Sequence, residues 1–359
     1  MPGKSKLKTK TLYRKLNKLF DHSPIIPLEN QQRWVIFSDL HMGDGGSTDD
    51  FKRNAELFKS ALSKYYLKKR YALILNGDIE ELQRFQLTKI INKWKDVYAL
   101  FDEFNEHKAL YKTIGNHDLE LLLMKDSPLK YQLFEGLRLK FDDNYLFVFH
   151  GHQASKKYQE HNELIGFTLK YFANPLGIKS YSVSHSSKKQ YKIEKRTYGF
   201  SSFNKIVSVI GHTHRPLFES LHKVEQLKYK IEQLCRDYTE ADEVNRPEIQ
   251  AEIKSHKKEL KKYYRENKDH SYQNYVYNTL FHIPCVFNSG CVVGKRGMTC
   301  LEIEGDKIRL VHWFDEKISE KYLLKSGYQP KKLPNTDFYR LVMNEESLHY
   351  IFTRIKFLT

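Results

Sequence analysis

Five times along this chain a short apolar run breaks into a cluster of Asp, Glu, Asn or His, and this recurrence constrains the fold more than any other feature. The runs are RWVIF before SDLHMGD, YALIL before NGDIEEL, LYKTI before GNHDLE, NYLFVF before HGHQ, and KIVSVI before GHTHRP. Such run lengths suit buried strands. Between the first three, DDFKRNAELFKSALSKYYLKKR and DVYALFDEFNEH repeat their apolar residues with helical spacing. Strand and helix in alternation, with polar residues after every strand, is an α/β pattern. In such sheets, ligands gather outside the carboxyl ends of the strands.

The polar clusters supply Asp39, His41, Asp78, Asn116, His150, His212 and His214. Carboxylate, imidazole and amide oxygen together suit borderline-hard divalent ions such as manganese, iron or zinc. The DxH and HxH spacings place two donors on one side of an extended chain. One ion would be overserved by so many donors, whereas two ions sharing a carboxylate would not. Asp78 is the natural bridge, since it can give one oxygen to each. Any single block also occurs as a capped turn or a polar loop. Five in order, each behind a strand-like run, select the metal reading.

The blocks DLH, GDIEE, GNHD, HGH and GHTH, spanning residues 39–214, resemble those of the calcineurin-like metallophosphoesterases. NSGC at 288–291 is similar to the family's Asn-rich closing turn. The resemblance implies a four-layer αββα sandwich over residues 33–315. It implies a phosphoesterase that attacks a phosphate ester, phosphodiester or pyrophosphate with two divalent ions, manganese foremost, iron and zinc being alternatives. Asp39, His41 and His214 would hold the first ion with Asp78, and Asp78, Asn116, His150 and His212 the second. His117 would stand beside the leaving oxygen, oriented by Asp118. Within HGH the ligand is His150, because the family's ligand precedes the glycine, and His152 would lie behind the site or face solvent.

Sixty Lys and Arg against forty-four Asp and Glu leave a net charge of +16, most of it in two blocks. Residues 1–33 carry +6 and residues 150–216 carry +8. Such blocks favour phosphate-bearing partners: an anionic substrate, nucleic acid or an anionic membrane surface. Within a lid-like segment, 153–205, Lys188, Lys189, Lys195 and Arg196 are expected to overhang the substrate. The aromatic residues there (Tyr171, Phe172, Tyr181, Tyr191, Tyr198, Phe200) either stack on bases or pack as core. GDIEEL and this segment are similar to bacterial UDP-diacylglucosamine pyrophosphatases, which carry Arg where this chain has His117. A nuclease or nucleotide phosphodiesterase, and a non-catalytic metal-binding scaffold, are the alternative readings.

Residues 1–32 read as a basic, loosely packed arm, and residues 316–359 as an extension without chemical signature. In 219–270, Leu221, Val224, Leu227, Ile231, Leu234 and Tyr238, then Ile249, Ile253, His256, Leu260 and Tyr263 after Pro247, suggest an inserted antiparallel helical hairpin. Its twelve basic and twelve acidic residues balance, which suits a packed protrusion and a homo-oligomer contact better than a nucleic-acid surface. No run approaches the roughly 18 apolar residues of a membrane span. The basic N-terminus lacks a secretory h-region. Cys235, Cys285, Cys291 and Cys300 show no CxxC spacing, as expected of reduced, buried thiols in the cytoplasm.

Overall fold

The structure, a computed structural model, describes residues 2–29, 32–124, 126–155, 187–218, 223–243, 245–266, 283–323 and 329–359. The larger sheet has eight strands, in the order β12 (Lys331–Lys332), β13 (Phe338–Ser347), β11 (Lys307–Asp315), β10 (Met298–Glu304), β2 (Arg33–Phe37), β3 (Tyr71–Asn76), β4 (Leu110–Thr113) and β5 (Leu133–Phe134). The smaller has five, in the order β1 (Ile25–Pro27), β6 (Leu137–Phe141), β7 (Asn144–Val148), β8 (Val207–Ile210) and β9 (Val286–Asn288).

The unbroken apolar runs are strands covered on both faces. In β2, Trp34 and Ile36 join one apolar cluster while Val35 and Phe37 join another; in β3, Ala72 and Ile74 divide from Leu73 and Leu75 in the same way. The first cluster holds Leu137, Leu139, Leu146 and Val148 of the smaller sheet, so it lies between the sheets. The second is closed by helices α2 (Ala55–Ala61), α3 (Leu87–Lys93) and α4 (Lys95–Glu106), through residues such as Phe58, Ile90 and Phe101. Phe58 meets Phe37 edge-on, with ring centroids 5.1 Å apart.

On the outer face of the smaller sheet lie α1 (Pro2–His22) and α5 (Ser187–Asn204). Phe147 of β7 is touched by Phe20 from α1 and Phe200 from α5. The layers are therefore helix, sheet, sheet, helix. This corrects the expectation for residues 1–32: Leu12 and Leu16 repeat at helical spacing, and their burial draws the segment into the core.

The 316–359 extension is likewise part of the fold. After the short α8 (Glu316–Ser319), β13 pairs antiparallel with β11 along its length. Arg340 of β13 then meets the fully buried Glu302 of β10, its Nε 2.9 Å from Oε1. Tyr66 donates to the same carboxylate at 2.8 Å and accepts from Trp313 at 2.8 Å. Two helices, α6 (Lys223–Glu240) and α7 (Arg246–Glu266), pack on each other. Residues 219–222 and 267–282 lie outside the described residues, and the reading as an inserted hairpin and homo-oligomer contact is a proposal from the sequence pattern. The last helix is α9 (Leu348–Leu358), whose Ile351, Phe352 and Ile355 enter the cluster between the sheets. Cys285 and Cys300 are buried thiols, but Cys235 is exposed and Cys291 half-buried. Among the described residues, no helix is long and apolar enough to cross a membrane.

Removing Arg340 strands the buried Glu302 carboxylate, so Arg340→Ala is expected to cost about 3–5 kcal/mol of stability. Urea titration measures this, and a wild-type midpoint would contradict it. Truncation after Asp315 should leave a chain without a cooperative transition.

Candidate metal centre

Strands β2, β3 and β4 run parallel in one sheet, and β7 and β8 run parallel in the other. The loops beyond their carboxyl ends meet. Asp39 and His41 follow β2, Asp78 follows β3, Asn116 and His117 follow β4, His150 follows β7, and His212 and His214 follow β8. Backbone bonds lace these loops together. The Asp39 N–H donates to the Gly77 carbonyl at 3.1 Å, and the His41 N–H to the Asp78 carbonyl at 3.0 Å. The N–H of His212 donates to Asp39 Oδ2 at 3.0 Å, and that of His117 to Asp78 Oδ1 at 2.8 Å.

Asp39, His41, Asp78, His212 and His214 all adopt left-handed backbone, with φ between 49° and 63°. Such a conformation costs a non-glycine residue about 1–3 kcal/mol, although Asp and His tolerate it better than most. Here it turns the chain sharply off each strand end and aims side chains inward. Glycine makes room beside them. A Cβ on Gly115 would stand 2.1 Å from Asp78 Oδ1, and one on Gly211 would stand 2.6 Å from Asp39 Oδ2.

The side chains assemble into donor groups that could each hold an ion: Asp39, His41 and His214; Asp78, His150 and His212; and His41, Asp78 and His117. His41 Nε2 and His214 Nε2 lie 3.1 Å apart, a spacing suited to two nitrogens each about 2.1 Å from one ion. His214 Nε2 is 3.1 Å from Asp39 Oδ1. His150 donates its Nδ1–H to the Asn76 carbonyl at 2.9 Å, which leaves Nε2 as the donor atom, 3.1 Å from Asp78 Oδ2.

Two of these atoms test the fit to metal. Asn116 Oδ1 and His212 Nε2 are buried and lack a hydrogen-bond partner. Orphaned buried acceptors are costly, and His212 Nε2 lies within 4.8 Å of donor atoms of Asp78 and His150, where a cation would satisfy it. The electrostatics agree. Burial alone would raise the Asp39 carboxyl, but His214 and His150 outweigh it and hold it at about 2. Burial opposes the charged form of His150, yet Asp78 and Asp39 raise it to about 9. His212 is pushed down to about 3 by burial and by His150. The carboxylates thus hold positive charge on an imidazole in a place where a divalent ion would compete for it.

Glu81 is the residue that sequence reasoning passed over. Its Oε2 accepts from His41 Nδ1 at 2.9 Å and its Oε1 from His117 Nδ1 at 2.7 Å. Burial would raise its carboxyl, but these two bonds hold it at about 2. The available signal was its place in the GDIEE block, three residues after Asp78. Asp118 does not orient His117, contrary to expectation. Its two oxygens accept from the backbone N–H groups of Gly115 at 2.6 Å and Ile79 at 2.8 Å. Asp118 is a brace between loops, and burial raises its carboxyl to about 7. His152 is buried behind the site, its ring 5.5 Å from that of His150.

The NSGC turn closes the centre from below. Asn288 Nδ2 donates to the Gly211 carbonyl at 3.0 Å and to Thr213 Oγ1 at 2.9 Å. Of the lid-like segment, residues 156–186 with Tyr171, Phe172 and Tyr181 lie outside the described residues. Its described end, α5, faces the GHTH loop with Gln190, which donates to the Thr213 carbonyl at 2.7 Å, and with Glu194, which accepts from Thr213 Oγ1 at 3.0 Å and pairs with Arg215. Arg196 does not overhang a substrate; it donates to the Ala154 carbonyl at 3.1 Å. Lys189 and Lys195 are exposed on the far side of the helix from Gln190 and Glu194. Phe200 is core, and the Tyr198 hydroxyl accepts from the Ile283 N–H at 3.2 Å.

The sequence profile described as calcineurin-like phosphoesterase matches residues 33–234. Two solved structures are similar in part. One is a conserved uncharacterised protein from Streptococcus pneumoniae TIGR4, described as a predicted phosphoesterase, at 11% identity over 79% of this chain and 91% of that one, with a TM-score of 0.30. The other is Vacuolar Protein Sorting 29 from Cryptosporidium parvum, at 11% identity over 89% of this chain and 100% of that one, with a TM-score of 0.36. No curated protein matches. The profile spans more than half of the chain and contains every one of the converging donors, so this protein belongs to the calcineurin-like phosphoesterases and is a metal-dependent phosphoric ester hydrolase.

Proposed function

We propose that this hydrolase works with two divalent ions that share Asp78, and that His117 serves the leaving oxygen. The observation that carries the reading is the position of Asp78 Oδ2, 3.1 Å from His150 Nε2 and 3.9 Å from His41 Nε2, between two donor groups. Asp39, His41 and His214 complete the ligands of one ion. Asn116, His150 and His212 complete those of the other. The mixture of carboxylate, imidazole and amide oxygen suits manganese, with iron and zinc as alternatives.

Ions held there would acidify a water for in-line attack at phosphorus and neutralise the phosphoryl oxygens. The chain's own part is to position and to move a proton. His117 keeps Nδ1 on Glu81, so Nε2 is the ring atom able to protonate the departing oxygen. Glu81 also steadies His41, which ties the proton donor and a candidate metal ligand to one carboxylate. The substrate class is an anionic phosphate ester, phosphodiester or pyrophosphate. His117, held by Glu81 beside the donor groups, favours hydrolysis over a non-catalytic metal-binding scaffold, which has no use for a positioned proton donor.

Metal analysis tests the bridge. Asp78→Ala should lose both manganese ions and Asn116→Ala mainly one; a full complement in Asp78→Ala would sink the assignment. His117→Ala should keep its metal and hydrolyse bis-p-nitrophenyl phosphate roughly 10²–10⁴-fold more slowly. If it purifies without metal, His117 is a ligand instead. Glu81→Gln should weaken manganese affinity or turnover about 10–100-fold, the usual effect of removing the partner that orients a ligand. Unchanged values for both would remove Glu81 from the machinery.

A further inference from the structure

Described parts of the two basic blocks of the sequence come together in space. α1 and α5 both lie on the outer face of the smaller sheet and touch where Tyr13 meets Phe200 with centroids 6.0 Å apart and Phe203 with centroids 6.2 Å apart. Each helix turns its apolar stripe to the sheet, so their opposite faces look out to the same side. On α1 that face carries Lys10, Arg14 and Lys18, all exposed at a spacing of four. On α5 it carries Lys189, Lys192 and Lys195, all exposed at a spacing of three. The sole acid of α5, Glu194, is buried against Arg215. Among the described residues, none of these six cations is paired with a carboxylate. Beside them Phe203 stands 74% exposed.

From this we propose that the α1–α5 face docks the enzyme on an anionic lipid bilayer, with the cations at the headgroups and Phe203 entering between them. The lack of a stacking platform selects a bilayer over nucleic acid. Phe200 is core and the Tyr198 hydroxyl is held by Ile283, so Phe203 is the single exposed ring among the described residues of α5, too few to stack successive bases. An exposed Phe among lysines on a broad face is the pattern of an interfacial anchor. Because the opposite face of α5 holds the GHTH loop, docking would keep the candidate metal centre roughly one helix diameter, about 10 Å, from the lipid surface.

Co-sedimentation of the full chain with phosphatidylcholine vesicles, with and without phosphatidylglycerol, tests this. Binding is expected only with phosphatidylglycerol, and it should fall as salt rises, since exposed charges are screened over about 8 Å at physiological ionic strength. Each basic residue at an anionic surface strengthens binding about fivefold. The variant Lys189→Gln/Lys192→Gln/Lys195→Gln should therefore bind roughly a hundredfold more weakly while keeping its metal content and its activity on bis-p-nitrophenyl phosphate. Phe203→Ser should weaken binding roughly tenfold without changing its salt dependence, and Phe203→Leu should restore most of it. Equal binding to both vesicle types, no binding to either, or wild-type binding by the triple variant would overturn the proposal. So would tighter binding to a duplex or single-stranded oligonucleotide than to phosphatidylglycerol vesicles at the same ionic strength.

Discussion

Asp39 and Asp78 sit beyond the ends of adjacent parallel strands with almost no solvent contact. Burying an ionised carboxylate costs several kcal/mol even after relaxation, and two close together repel each other as well. The surrounding structure answers that cost. The N–H groups of His212 and His117 donate to the two carboxylates, and the imidazoles of His41, His150 and His214 stand within ion-pair reach. Farther out, the buried Lys112 pairs with Glu80, which also accepts from Tyr98 at 2.9 Å. Negative charge beyond what these groups neutralise is what bound metal would take up.

That electrostatic demand dictates much of the architecture. Imidazoles from the smaller sheet can reach carboxylates from the larger one only if the carboxyl ends of five strands in two sheets converge. Left-handed turns at five of the donors bring their side chains inward, and glycines at 115 and 211 let neighbouring loops approach the carboxylates. The NSGC turn keeps the arrangement from relaxing, since Asn288 holds the GHTH loop and Ser289 meets Ser38 at 2.7 Å. Strain at the turns persists because the loops on every side are hydrogen-bonded to one another.

Glu81 and α5 each join two parts of the protein. Glu81 is one carboxylate held by His41 and His117, so a displacement of either ring is felt by the other. α5 has its polar inner residues on the GHTH loop and its lysines outside.

Much of this was legible in the sequence, because strand periodicity and donor chemistry are both local. The run RWVIF has no polar residue to face solvent after Arg33, so it reads as a doubly covered strand, and the structure has one. Asp39, Asp78 and the histidines after β7 and β8 were identifiable because each follows such a run. What the sequence could not decide were choices between equivalent groups competing for one partner in space. Glu81 and Asp118 are both acids near His117 along the chain or across the site, and only the fold reveals that Asp118 is spent on two backbone N–H groups while Glu81 reaches the ring. The N-terminal lysines hid the burial of Leu12 and Leu16, because charge density masks an apolar stripe unless the surface that covers it is known. Residues 316–359 carry no reactive pattern, yet Arg340 neutralises Glu302 across two strands. Local chemistry determined the strands and the metal donors, and the resemblance of the ordered blocks to a known family implied the class of reaction. Pairings between distant residues, which depend on distance and desolvation and not on residue type, were decided by the tertiary structure alone.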